Sequence, residues 1–449
     1  MSPRSLAIRG AALLLAALAT AAPAAESAYG CSGLERNRDL PSLEGRDGVF
    51  FRINADLRMY HPFSAGVVDG LAELSRALER RGTTLIFVPI PTKSVSMPDH
   101  LPDEAALYGF DLDVATEVHL DIQRRLAAAG VVTADIRAAL LDAEPGRLPF
   151  FGADFHWSAY GADLGARAIA EVIRVQPAYA ALAKTDHVTV ETGQETSFSG
   201  MRRILQGLCT ETLPEPETET YETRVAQLDL VPEEDLSGGL DLFGDAQESV
   251  DIALVGTSFS DSPINNFPGF IAQHSALEVI NYAITGGNQF GAITSYLTSE
   301  DFQEAPPVFL VWENPIYNNL AQYGDQPMRE LIAAARGPCT ARIVADVSED
   351  RRLLRADLGG LGLGAEDTLF LDTGGSTALE LEFRFLSATG SERTRVLHRS
   401  ERMRRTGRFY MPLSGLWPEG AERLEIALSA PLGSDPALYT CTPPSEDKS

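Results

Sequence analysis

The run TTLIFVPI, residues 83–90, puts apolar side chains at consecutive rather than alternate positions, so a strand made from it must be covered on both faces. The residues before it, from about Ser64 to Gly82, repeat their apolar positions at helical spacing. A helix leading into a fully buried strand predicts a parallel sheet between two helical layers. The pattern recurs: Asp113–Ala129 reads as a helix, GVVTADI as a strand, and Ser158–Ile173 as a helix with Ser158 at its N-cap. SVDIALVG, ALEVINYAI and PPVFLVWENP supply further strands, so residues of about 30 to 335 are expected to form an α/β domain.

After GPCTARI the style changes. Short alternating segments such as LELEFRFL, TRVLHRS, GRFYMPL and RLEIALSA, separated by turn residues, predict a small β-sandwich. A chain of 449 residues exceeds what one core usually fills, which fits two domains. We take residues 1–25 as a signal peptide, 26–338 as the α/β domain and 339–449 as the β-sandwich. The leader assignment rests on Arg4 and Arg9 ahead of an apolar run from Ala11 to about Ala19 and small residues before Glu26. That run is short for a membrane span, and no later stretch reaches about 18 apolar residues. An exported, soluble, periplasmic protein is the expectation. The acidic segment from Glu211 to Asp245 reads as a solvated surface excursion, and PPSEDKS as a loose tail.

Cys31, Cys209, Cys339 and Cys441 show neither a CxxC pair nor zinc-finger histidine spacing, so two disulfides are expected and no metal. Of the three possible connectivities we favour Cys31–Cys209 with Cys339–Cys441, because the second pair closes a segment of domain size at its two ends. The net charge of −26 argues against a nucleic-acid partner. Within this acidic chain the window Arg384 to Arg408 holds eight arginines against Glu392 and Glu401.

Chemistry concentrates in two places. The strand DIALVG runs directly into GTSFSDS, which sets Ser258 just past a strand end, where ligands collect in open α/β sheets. Gly256 permits a sharp turn, and the Ser258 N–H can help to stabilise an oxyanion. A serine there can equally cap a helix or bind its own loop. DFHWSAYGA supplies what a nucleophilic serine needs: His156 as general base and Asp154, two residues earlier, to orient it. The competing reading is a loop in which Asp154 bonds an amide and His156 packs beside Trp157.

Taken together, VPIPTK, DFHWSAYGA, GTSFSDS and an all-β tail closed by cysteines resemble the AlgX/AlgJ family of SGNH-hydrolase-like alginate O-acetyltransferases. The resemblance implies a circularly permuted SGNH-hydrolase-like α/β/α domain followed by a β-sandwich carbohydrate-binding module, with Asp154 and His156 ahead of Ser258 in the chain. It implies a Ser258–His156–Asp154 triad, with Ser260 the second choice of nucleophile, and places the family's tyrosine on Tyr317. Asn288 is a candidate second oxyanion donor or a plain turn residue, and Lys93 a candidate contact for a substrate carboxylate. The arginine window becomes a candidate polyuronate surface, represented by Arg395, Arg402 and Arg408, or else the solvated face of a hairpin.

The implied activity is transfer of an acetyl group through an acyl-serine onto hydroxyls of a secreted anionic exopolysaccharide such as alginate, with no cofactor. The acetyl donor would come from membrane acyltransfer proteins within an exopolysaccharide export complex. Two alternatives stay open: an acetyl esterase using the same triad, and a non-catalytic polysaccharide-binding scaffold.

Overall fold

The computed structural model describes residues 27–226, 250–337, 339–417 and 420–441. The leader, the closing tail and the later half of the acidic segment lie outside the described residues. Five parallel strands form the central sheet, in the order Val132–Thr133, Thr84–Ile90, Phe309–Pro315, Ile252–Val255, Val279–Asn281. Their consecutive apolar residues serve two cores. Ile86, Val88, Ile90, Ile252 and Leu254 face one layer with Trp157 and the helix Ala159–Arg174. Leu85, Phe87, Ala253 and Val255 face the other, with the helices Ala65–Glu79 and Gln326–Ala335. This division explains the unbroken apolar runs, since successive strand side chains point to opposite faces and both are covered.

Local capping sets the helix starts. Ser64 accepts from the Val67 N–H, Asp111 from Val114 and Ser158 from Gly161, each satisfying an otherwise unpaired first-turn donor. The strand expected in GVVTADI shrinks to Val132–Thr133, because Asp135 then caps the helix Ile136–Leu141 through the Ala138 N–H.

Over its described residues the acidic excursion stays largely at the surface but is more ordered than expected: it contains a strand, Glu217–Val225, paired antiparallel with His187–Thr196. Its Thr and Tyr residues suit a strand, but the alternating glutamates leave no apolar face for a period-two reading to detect.

Residues from Ala341 onward build two antiparallel sheets of four and five strands, whose facing side chains, among them Leu369, Met411, Phe383, Phe385 and Ile426, share one core. The Cys339–Cys441 disulfide ties the two ends of this region, and Cys31–Cys209 joins the start of the chain to the residues after the helix Gly200–Gln206. The sandwich is fastened to the α/β part by a buried bidentate pair: both terminal nitrogens of Arg399 donate to Glu330 on Gln326–Ala335.

Candidate active site

Ser258 opens a short helix, Ser258–Asp261, at the carboxyl end of the strand Ile252–Val255. His156 Nε2 lies 2.8 Å from Ser258 Oγ, and His156 Nδ1 lies 2.6 Å from Asp154 Oδ1. The same Asp154 oxygen accepts the His156 backbone N–H at 2.8 Å, so one carboxylate fixes both the position and the ring of the histidine. Its second oxygen accepts from Ser199 Oγ. Burial works against the Asp154 charge, yet the hydrogen bonds from His156 and Ser199 outweigh it and hold the carboxyl below its ordinary pKa. An ionised Asp154 favours the Nδ1–H tautomer, which leaves Nε2 free to accept the serine proton.

The imidazole is walled by aromatic rings. Phe155 packs at 4.1 Å between centroids and Phe259 at 5.0 Å, while Trp157 turns to the core and donates its Nε1–H to the Phe259 carbonyl. Asp154 and Ser258 are thus held from both sides of one histidine. The loop alternative, with Asp154 on an amide and His156 beside Trp157, captures only the first of its two contacts.

Backbone bonding in the serine turn is distinctive. The Thr257 N–H goes to Glu313, the Phe259 N–H to Thr257 Oγ1, and those of Ser260 and Asp261 to the Thr257 carbonyl. The Ser258 N–H has no partner among the described residues, which leaves it open to an oxyanion. Ser260 is buried and donates to Glu313 at 3.0 Å, away from the imidazole.

Tyr317 follows the strand Phe309–Pro315 and meets Arg52, whose guanidinium stands 4.8 Å over the Tyr317 ring and 4.3 Å over Phe155. Arg52 in turn pairs bidentately with the buried Asp56. Burial raises the Tyr317 pKa and the neighbouring Arg52 opposes it, with the net shift upward. Arg52 therefore links the expected tyrosine to the ring stacked on His156.

Two expectations need correction, Lys93 and the arginine window, and for Asn288 the turn reading holds. Lys93 is 1% exposed, and its Nζ lies 2.6–3.0 Å from the carbonyl oxygens of Phe50, Phe151, Gly152 and Asp154. An ammonium has three donors, all consumed here, so Lys93 braces the loop bearing the Asp–His pair rather than meeting a substrate carboxylate. Burial pushes its pKa down to about 7, against the pull of the nearby Asp56 and Asp154 carboxylates. Asn288 is exposed and left-handed, with φ 56°, and lines a cavity of about 300 Å³ with Tyr323 and His398. It makes no hydrogen bond to the serine turn; Ile284 and Thr285 of its loop do so instead, through Gly256 and Asp261.

The arginine window, finally, divides. Arg395 spends its donors on the Pro412 and Ser414 carbonyls, and Arg408 pairs with Glu300 and Asp372. Arg384 meets Glu382, Glu392 and Glu425, Arg393 bonds the Gly415 carbonyl, and Arg399 holds Glu330. Arg402, Arg404 and Arg405 have exposed side chains without an ion pair among the described residues. Arg402 lies beside Gly286, in the loop that touches the serine turn.

Sequence reasoning missed Ser199, Arg52 and Glu313. Ser199 caps the helix Gly200–Gln206, a signal that marks a helix start but not its contact with Asp154. The others approach the site only through tertiary structure.

Comparison with known proteins agrees with this architecture. The family model described as "SGNH hydrolase-like domain, acetyltransferase AlgX" matches residues 43–316. The Pseudomonas aeruginosa "Alginate biosynthesis protein AlgX" is 30% identical over 281 residues, covering 62% of this chain and 56% of that protein. The "Probable alginate O-acetylase AlgJ" of the same species is 33% identical over 249 residues, covering 54% of this chain and 61% of that one. The match thus spans little more than half the length of these relatives. Among solved structures, Pseudomonas aeruginosa AlgX superposes with a TM-score of 0.74 at 22% identity over 90% of this chain and 95% of that one. The O-acetyltransferase domain of Pseudomonas putida AlgJ gives 0.51 at 21%, over 65% and 98%. The matched region contains the Asp154–His156 pair, Ser258 and the whole parallel sheet, and this chain belongs to the AlgX family of SGNH hydrolase-like proteins.

Proposed function

We propose that the protein is a serine O-acyltransferase that moves an acetyl group onto hydroxyls of a secreted polyuronate of the alginate type. The observation that carries the reading is the hydrogen-bonded chain from Ser258 through His156 to Asp154 in a member of this family. Ser258 Oγ attacks the acetyl carbonyl as His156 Nε2 takes its proton, and the imidazolium returns that proton to the departing donor. A sugar hydroxyl then gives its proton to Nε2 and attacks the acyl carbon, and Ser258 leaves with the proton restored. The Ser258 N–H supports the oxyanion in both halves, and Tyr317 orients the substrate beside Phe155.

The remaining assignments belong to the same proposal. Residues 26–338 carry the chemistry, and residues 339–449 bind polymer. The protein works in the periplasm after cleavage of its leader, receiving acetyl groups from membrane acyltransfer proteins of an exopolysaccharide export complex. Two disulfides fit an extracytoplasmic setting, and no helix of the described residues is long and apolar enough to cross a membrane.

The test gives the purified protein an activated acetyl ester and mannuronate oligomers and weighs both by mass spectrometry. An acetyl adduct on Ser258 and acetylated sugars are expected. Acetate release with unmodified sugars would replace the transferase by an esterase, and no adduct would leave only the binding scaffold.

For the polymer surface the expectation falls on the three exposed arginines without an ion pair among the described residues, of which Arg404 stands 5.6 Å over the Tyr282 ring. Reversing Arg402, Arg404 and Arg405 together to glutamate is expected to weaken mannuronate-oligomer binding by about tenfold or more at low salt, with the gap narrowing as salt rises. Calorimetric titration at two ionic strengths measures this. Unchanged affinity would remove these residues from the polymer path.

A further inference from the structure

Glu313 is 0% exposed at the end of the strand Phe309–Pro315, alongside the strand that delivers Ser258. No basic side chain pairs with it among the described residues. Its partners are all donors of the serine turn: the Thr257 N–H at 2.7 Å, the Thr257 hydroxyl at 3.1 Å and the Ser260 hydroxyl at 3.0 Å. Room for it is made by Gly256, where a Cβ would stand 2.4 Å from Glu313 Oε2. A buried carboxyl without a cation is unfavourable for stability alone, since an apolar side chain of similar size would fill a strand position without a desolvation penalty. Burial accordingly pushes its pKa up to about 7.

We infer that Glu313 is a positioning residue for the nucleophile, a buried carboxyl that holds the Gly256–Ser260 turn from beneath and decides which of its amides stays open. The inference rests on Ser258 being the nucleophile. Thr257 has one hydroxyl hydrogen, and Glu313 accepts it. That fixes the lone pairs of Thr257 Oγ1 toward the Phe259 N–H, while the Thr257 N–H is taken by Glu313 itself. Residues 260 and 261 bond the Thr257 carbonyl. The amides of residues 257 and 259–261 are thereby occupied, and the Ser258 N–H stays open, next to an Oγ already directed at His156. Without the carboxyl, Thr257 is free to rotate, its N–H and hydroxyl lose their acceptor, and the serine is released from its register with the imidazole.

The experiment compares wild type, Glu313→Leu and Glu313→Gln for the rate of acylation by an activated acetyl ester, expressed per serine titrated by a phosphonate, so that any unfolded fraction drops out. Peptide mapping of the wild-type adduct comes first. An adduct elsewhere than Ser258 refutes the nucleophile assignment and this inference with it. With the adduct on Ser258, Glu313→Leu is expected to slow acylation about a hundredfold with little change in KM, as for a small misplacement of a reacting group. Glu313→Gln keeps an acceptor for the Thr257 N–H and is expected to stay within about tenfold of wild type. A wild-type rate in the leucine variant overturns the inference, and so does an equal loss in both variants, which would assign the effect to charge. Should the leucine variant fail to fold, Thr257→Val removes the hydroxyl bound to Glu313, and unchanged acylation there is equally fatal.

Discussion

Ser258→Ala is expected to reduce acetyl transfer by a factor on the order of 10⁴ to 10⁶ while leaving the fold intact. The side chain is small, sits at the first position of a short helix and contributes no core contact; its hydroxyl bonds only the imidazole. Removing it deletes the acyl-enzyme route and leaves the open amide and the substrate contacts, which by themselves give modest acceleration. Steady-state transfer to mannuronate oligomers, with circular dichroism as the control for folding, checks the prediction. A variant that retained a tenth of wild-type turnover would show that another group carries the acyl chain, and Ser260, already committed to Glu313, is poorly placed to do so.

Lys93→Met is expected to lose both stability and activity. Methionine fills nearly the same volume but cannot donate, so the carbonyls of Phe50, Phe151, Gly152 and Asp154 would each lose an acceptor bond inside the protein. Stranding buried polar groups costs about 1–3 kcal/mol apiece, and Gly152 and Phe151 keep second partners in the Phe50 and Asp154 N–H groups, so a total of roughly 2–6 kcal/mol is expected. The loop that loosens is the one that sets Asp154 and His156, so activity per folded molecule should fall about a hundredfold as well. Urea unfolding and acylation per titrated serine measure the two effects separately. If stability held while KM for the uronate rose, Lys93 would be a substrate contact after all.

These two residues mark what was legible in the sequence. Ser258, His156 and Asp154 could be picked out because each sits in a local pattern, a strand end or a helix entry, that implies its placement. The parallel sheet was legible for the same reason, since buried strands advertise themselves as unbroken apolar runs. Glu313 lies in one of those strands and Lys93 just beyond another, at the start of the helix Lys93–Ser96, yet a charged residue at the end of an apolar run reads as the point where the chain returns to solvent. Their partners are main-chain carbonyls 43 to 61 residues away and hydroxyls 53 to 56 residues away, which no local pattern encodes. The arginine window misled in the opposite direction. Nearness in sequence suggested one cationic surface, whereas strand alternation and turns send five of those eight side chains to separate carboxylates and carbonyls.

The Cys31–Cys209 disulfide carries a consequence for timing. It anchors the segment just after the helix Gly200–Gln206, and the residue capping that helix, Ser199, holds the second oxygen of Asp154. In a newly made chain whose cysteines are still thiols, that helix would be held by packing alone, through Met201 and Leu205 against Leu34, Phe50 and Ala153, and the clamp on the Asp154 carboxylate would be looser. The full rate would then depend on oxidation as well as on synthesis.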